Sequence, residues 1–387
     1  MGKKFIRHEH AIQIFYRHLD EIIIQYQTHK YRIIMFGSGT PANMAIYYLK
    51  IHDVIVEAIL DNNQKKQGTQ EYDTPIYSPE DYLSDFDENI RILIASSYED
   101  EMIQQLKNLG YEQKQIVKLI DFKKSISDYS FVDRTGFRML DRIEIREHQL
   151  KILKHLKWLC DKHGLRYWLC GGTLLGAVRH HGYIPWDDDI DVLVEMNDLK
   201  KLTTILQEDP EYGIATFIDL ELDFCDSCSY MYEMSSDADV NYFPTQVSCG
   251  ISIDLFPLVG IPENEQEQKQ YIAELRRRNE AVWNKMYSKK ELRKAATELM
   301  DCMSRYHFDE SLYCGGGRII SQNITKESWL VDGFRNTEEM CFEGESFRVP
   351  KEWQTYLHTM YGKDYMIPPP KERQVAQHQY KAYVPEK

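Results

Sequence analysis

The sequence predicts two units: an α/β domain with a parallel sheet in the first third of the chain, and a larger α+β domain that ends in a helical part. Three observations carry this. Residues 31–60 run strand, glycine turn, helix, strand, the pattern of a βαβ unit. Residues 167–195 run strand, two glycines, helix, then a strand that is acidic at its start and apolar at its end. Residues 263–306 are highly charged, with apolar residues at helical spacing. The predicted layout is a first domain over 1–125, a linker over 126–140 and a second domain over 141–387.

Bulk properties narrow the function classes. A chain of 387 residues with 43% apolar and 28% charged residues is long enough for more than one core and is not disordered. Its net charge of −14 argues against nonspecific nucleic-acid binding, which runs on surplus Lys and Arg, so no nucleic-acid partner is expected. No run approaches ~18 apolar residues, and the opening MGKKFIRHEH has no hydrophobic stretch. Neither a membrane span nor a signal peptide is expected, and the predicted location is cytoplasmic, at most peripheral to the inner membrane face. Eight cysteines in a chain this long do not make a small disulfide scaffold; Cys160, Cys170, Cys249 and Cys341 sit beside apolar residues, as buried thiols do.

In chain order, Ile12, Phe15, Leu19, Ile22, Ile23 and Tyr26 recur every three or four residues and predict an amphipathic helix over 9–28. A strand at 31–36, the turn Gly37-Ser38-Gly39-Thr40-Pro41-Ala42, a helix at 42–51 and a strand at 54–60 ending on Asp61 follow. A G-x-G-x-x-A turn in this setting is the mark of a Rossmann-like dinucleotide site, with Gly37, Gly39 and Asp61 as the candidate nucleotide contacts. The same glycines serve helix–strand packing without a ligand, and nothing downstream resembles a hydride-transfer domain. A strand at 91–95, a helix at 99–109 and a strand at 115–120 complete a domain similar to those attached to bacterial sugar-modifying enzymes. Residues 123–136 are polar and without apolar period, as a linker is.

The second unit opens with a helix over 141–163, with Ile145, Ile152, Leu156 and Leu159 on one stripe and Gly164 as its stop. After a strand at 167–170, Gly171-Gly172-Thr173 precedes a helix over 174–180. Two glycines before a helix N-terminus suit a phosphate, because they bring backbone N–H groups close to an anion that the helix dipole favours. Then comes Trp186-Asp187-Asp188-Asp189-Ile190-Asp191 and an apolar run to Val194. As a strand, 189–194 puts Asp189 and Asp191 on one face, about 7 Å apart along the backbone, where both reach one hard cation. An isolated acidic run is ordinarily a solvated turn; the glycines before it and the strand after it favour cation binding here.

A helix over 199–206 follows, with Asn197 or Asp198 as its cap. Cys225 and Cys228 form a C-x-x-C pair, but no second pair lies at finger spacing, so they read as ordinary loop thiols rather than zinc ligands. Residues 250–259 alternate, Ile251, Ile253 and Leu255 against Ser252, Asp254 and Phe256, which turns Asp254 away from the apolar face and makes it a candidate third carboxylate. Arg276-Arg277-Arg278 reads as a solvated helix face, and Pro368-Pro369-Pro370 as part of a strap or lid. Asp189, Asp191 and Asp254 together suit Mg²⁺ or Mn²⁺, which take oxygen ligands and partner substrate phosphates. Arg179, Tyr183 and Trp186 lie beside them in sequence as candidate substrate contacts.

The order Gly171-Gly172-Thr173, Leu174-Leu175-Gly176-Ala177-Val178-Arg179 and Ile184-Pro185-Trp186-Asp187-Asp188-Asp189-Ile190-Asp191 resembles the LicD family of nucleotidyltransferase-fold phosphotransferases, which includes bacterial phosphocholine transferases and fukutin-related ribitol-phosphate transferases. Ile253-Asp254-Leu255-Phe256-Pro257-Leu258 resembles the family's later acidic motif. Tyr361-Gly362-Lys363-Asp364-Tyr365-Met366, Pro368-Pro369 and His378 resemble its C-terminal signature. The likeness covers roughly 140–379 and leaves 1–125 outside. It implies transfer of a phospho-alcohol, phosphocholine foremost, from a CDP-activated donor to a sugar hydroxyl of a cell-surface glycan or teichoic acid, free or lipid-linked, releasing CMP. It also implies that Gly171, Gly172, Thr173 and His378 contact substrate. A choline group would call for an aromatic cage, which Tyr183, Trp186, Tyr230 and Tyr232 are available to supply, although the same residues fit a core equally well. Asp254 is the candidate base, with metal-bound activation of the acceptor as the alternative, since a ligating carboxylate is a poor proton acceptor. Two other functions fit the same residues: a nucleotidyltransferase moving a nucleoside monophosphate from an NTP, and a non-catalytic nucleotide-binding scaffold. The sequence leaves the oligomeric state open.

Overall fold

The computed structural model describes residues 6–7, 10–121, 134–219, 224–225, 228–241, 246–316, 328–374, 376 and 381–386. The opening helix, His10–His29, buries Ala11, Phe15, Leu19 and Ile22 and contacts the helix Thr40–Ile51, where Tyr48 donates to Asp20 at 2.9 Å. Five parallel strands form the first sheet in the order Thr74–Tyr77, Val56–Leu60, Arg32–Phe36, Ile90–Ile94, Ile116–Lys118, with Gln70–Glu71 antiparallel at one edge. Strand order reverses between Arg32–Phe36 and Ile90–Ile94, which leaves a crevice at their carboxyl ends. The hairpin Gln70–Tyr77 was not expected. Its turn holds Tyr72 and Asp73 at positive φ, a conformation that glycine or asparagine ordinarily signals.

The second sheet runs Tyr212–Ala215, Ser229–Glu233, Ser252–Ile261, Asp191–Glu195, Tyr167–Leu169. Ser252–Ile261 and Asp191–Glu195 are parallel neighbours; every other pairing along this path is antiparallel. Ser252–Ile261 is covered on both faces, so the expected one-sided alternation does not hold, and Asp254 alone along it is less than fully buried. Behind the sheet lies Arg142–His163, which buries Ile145, Ile152, Leu153, Leu156 and Leu159. Its start is a capping box in which Asp141 accepts from the Glu144 N–H and Glu144 accepts from the Asp141 N–H; Gly164 ends it at φ +66°. The helix Met196–Leu206 is capped by neither Asn197 nor Asp198 but by Glu195, the last residue of the acid-bearing strand, which accepts from both N–H groups.

The charged stretch forms a helical hairpin, Glu265–Asn284 and Lys289–Met303, with Arg278 on Glu274 and Glu298. A third sheet, in the order Ile6–Arg7, Gln246–Cys249, Asp237–Asn241, Lys381–Pro385, Phe137–Met139, gathers both ends of the chain. The predicted linker therefore includes a strand, and the proline-rich tail finishes as one. Contacts also join the first sheet's domain to the helical hairpin: Asn284 donates to the Tyr72 hydroxyl at 2.7 Å, and the ring of Tyr287 lies 6.1 Å from Tyr16 and 5.5 Å from Tyr48. Cys160, Cys170 and Cys249 are buried as expected, whereas Cys341 is exposed on the outer face of the hairpin Thr337–Pro350. Among the described residues no helix is long and apolar enough to cross a membrane.

Candidate active site

The acidic run stands where Asp191–Glu195 enters the second sheet. Parallel pairing sets Asp254 opposite Asp191, and the Asp254 N–H donates to the Ile190 carbonyl at 2.8 Å. Carboxylate oxygens of Asp189, Asp191 and Asp254 lie within 4.8 Å of one another, and those of Asp187, Asp188 and Asp189 form a second such group. Asp189 belongs to both. Burial first, and then the charges of Asp191, Asp187, Asp254 and Asp188, push the Asp189 carboxyl far above the ordinary carboxylate range. An all-oxygen donor set crowded to this degree fits a hard divalent cation, which supplies the missing positive charge.

The glycines explain how the acids come so close. The helix begins at Gly171, not at Leu174, and Gly171 has φ +51°. A Cβ at Gly171 would overlap the Asp191 carboxylate, and one at Gly172 would stand 2.5 Å from Asp187 Oδ2. The Gly171 N–H donates to the Tyr356 hydroxyl at 3.1 Å and the Gly172 N–H to Asp191 Oδ2 at 3.1 Å. Buried Thr173 accepts from the Asp191 N–H at 2.8 Å. At the helix N-terminus, where the sequence suggests a phosphate cradle, the Gly172 N–H is given to the Asp191 carboxylate, itself an anion of the kind the helix dipole favours.

The other candidates separate. Arg179 donates to the Tyr365 carbonyl at 2.7 Å, tying the C-terminal signature to this helix. Trp186 is half-buried, edge-on to His180 with ring centres 6.1 Å apart. Tyr183 is buried, and its hydroxyl contacts the Arg146 carbonyl and Gln149 Oε1, both at 3.2 Å. Tyr230 and Tyr232 are buried too, so of the four aromatics read as either cage or core, three are core and Trp186 is partly exposed. His378 lies outside the described residues, as does the side chain of Cys225; Cys228 is buried. Sequence reading missed Arg146, Gln149, Tyr356 and Glu343, the last accepting from the Tyr183 N–H at 2.9 Å. No local motif marks them, because each acts across the fold.

Gly37, Gly39 and Asp61 meet at the crevice of the first sheet. Gly37, at φ +98°, donates to the Leu60 carbonyl at 2.8 Å, and Gly39 caps the helix Thr40–Ile51. Asp61 accepts from the Ser38 hydroxyl and from the Asn63 N–H, and Lys66 donates to Ser38 Oγ at 2.7 Å.

Residues 164–311 match the LicD/FKTN/FKRP nucleotidyltransferase domain, a segment that contains all five aspartates, and residues 29–117 match the C2185-like N-terminal domain. The lipopolysaccharide cholinephosphotransferase LicD of Haemophilus influenzae is 26% identical over 272 residues, 63% of this chain and 100% of that protein. An uncharacterized protein of Rickettsia prowazekii is 36% identical over 75 residues, 19% of this chain and 28% of its own. The ribitol 5-phosphate transferase FKRP of Homo sapiens is 56% identical over 36 residues, 9% of this chain and 7% of its own.

Proposed function

We propose that this chain, whose residues 164–311 match the LicD/FKTN/FKRP nucleotidyltransferase domain, transfers a phospho-alcohol group, phosphocholine foremost, from a CDP-activated donor to a sugar hydroxyl of a glycan, releasing CMP. The observation that carries the reading is the convergence of Asp189, Asp191 and Asp254 beside the Gly171–Gly172 helix start, inside the family segment. The full-length similarity to a cholinephosphotransferase supports choline over ribitol, for which the similarity is short.

In this reading Asp189, Asp191 and Asp254 hold Mg²⁺ or Mn²⁺, which when bound neutralises diphosphate charge and eases departure of the nucleotide. Asp191 is kept in place by the Gly172 N–H and by Thr173, so its carboxylate needs no reorganisation to ligate. Asp254 takes the acceptor's proton to the extent that it stays off the ion. Trp186, partly exposed and adjacent in sequence to the acidic run, is the aromatic available to a quaternary ammonium.

Incubation of the full chain with Mg²⁺, sugar acceptors and either CDP-choline, CDP-ribitol or ATP tests this. CMP release from CDP-choline is expected. Pyrophosphate release from ATP instead would make the protein a nucleotidyltransferase, and no release from any donor would leave a binding scaffold. Asp189→Ala, Asp191→Ala and Asp254→Ala are each expected to cut turnover by at least about 100-fold while far-UV circular dichroism stays unchanged. Full activity in any of them removes that aspartate from the mechanism.

A further inference from the structure

The acids are gripped from beneath. The loop leading into the acidic run curls around one side chain of the helix Arg142–His163: Arg146 Nη2 donates to the carbonyls of Ile184 at 2.9 Å, Pro185 at 3.1 Å and Asp187 at 2.6 Å. One turn further, buried Gln149 donates to the carbonyls of Asp188 at 3.0 Å and Ser252 at 3.4 Å. Gln149 therefore links the acidic run to the strand that carries Asp254. The Arg146 guanidinium carbon lies 4.7 Å from the centre of the Tyr183 ring, and its Nε is buried without a hydrogen-bond partner among the described residues. From the other side of the loop, Glu343 holds the Tyr183 N–H.

A long cationic side chain on a helix ordinarily keeps its head in water, because desolvating the charge costs several kcal/mol. Arg146 instead directs one nitrogen at three carbonyls, which ties the loop backbone to the helix Arg142–His163 at three points. Removing it would take the side-chain donor from all three carbonyls, of which Ile184 keeps the Asp187 N–H at 3.0 Å, and would take away a positive charge that interacts with Asp187.

We propose that Arg146, assisted by Gln149, is a positioning residue that sets Asp187–Asp189 against Asp191 and Asp254, so that the cation site is assembled before the ion arrives. This rests on the metal-site reading above. The probe is Mn²⁺ alone, titrated into the full chain and followed by the electron paramagnetic resonance of the free ion. Arg146→Met, which keeps bulk without charge, is expected to weaken Mn²⁺ affinity by roughly 10–100-fold. Arg146→Lys is expected to recover part of the loss, since an ammonium keeps the charge but lacks the fork. Gln149→Leu is expected to shift affinity in the same direction. In turnover assays the Mn²⁺ concentration for half-maximal rate rises more than kcat at saturating Mn²⁺ falls. Arg146→Met that binds Mn²⁺ like the wild type overturns the positioning role. Should that variant fail to fold, wild-type affinity in both Arg146→Lys and Gln149→Leu overturns it. A wild type that binds Mn²⁺ yet releases no CMP sinks the transfer reading and leaves this inference standing; one that binds no Mn²⁺ sinks the metal site and the inference together.

Discussion

A single carbon added at Gly171 would enter the space of the Asp191 carboxylate, and a φ of +51° already disfavours any side chain there. Gly171→Ala and Gly172→Ala are therefore expected to displace Asp191 and Asp187 and to cost turnover about as much as losing an aspartate, measured as CMP release. Asp189→Asn is expected to raise the melting temperature in EDTA at neutral pH while abolishing activity, because the folded acid, pushed above the carboxylate range, must take up a proton that the unfolded chain does not hold, and a neutral amide avoids that cost; an equal or lower melting temperature would show that the crowded acids do not strain the metal-free fold. Asp198 behaves oppositely. Burial opposes its ionisation, but hydrogen bonds from Arg166 at 2.7 Å and Lys201 at 2.9 Å outweigh burial and hold its carboxyl below the usual range. A lowered folded-state value stabilises above the unfolded value near ~4 and is lost as pH falls through the lower one. Asp198→Asn is thus expected to cost about 1–3 kcal/mol at pH 7, with the difference from wild type narrowing below about pH 4 in denaturant melts.

At the scale of elements, legibility follows locality. The helix Arg142–His163 was readable because its cap, stripe and glycine stop all lie within its own sequence. Asp141→Ala is expected to lower stability by about 1 kcal/mol with kcat unchanged, measured by denaturant unfolding and CMP release. The acid-bearing strand was readable in kind but begins at Asp191; the run before it is held by side chains of the helix Arg142–His163, Gln149 on the Asp188 carbonyl and Arg146 on those of Ile184 and Asp187. The hairpin Thr337–Pro350 was not readable. Glu338, Glu339 and Cys341 are exposed, and Phe342, Phe347 and Val349 reveal a buried face only once it packs beside the helix Gly171–His180.

For the whole molecule, the third sheet ties residues 6–7 to 246–249 and 381–385 to 137–139, and one continuous apolar core spans the first sheet's domain and the helical hairpin. The full chain is expected to unfold in a single calorimetric transition; two well-separated transitions would show that the two parts fold independently. The sequence by itself determined the glycine pair, the acidic run, the parallel domain ahead of them and the oxygen chemistry they suit, because those signals are contiguous and governed by backbone sterics and charge. Only the tertiary structure decided that the glycines make room for carboxylates, that Asp254 stands opposite Asp191, that three of four candidate aromatics are core, and that Arg146 holds the loop. Those facts depend on strand register and helix docking, which bring together residues that no spacing along the chain connects.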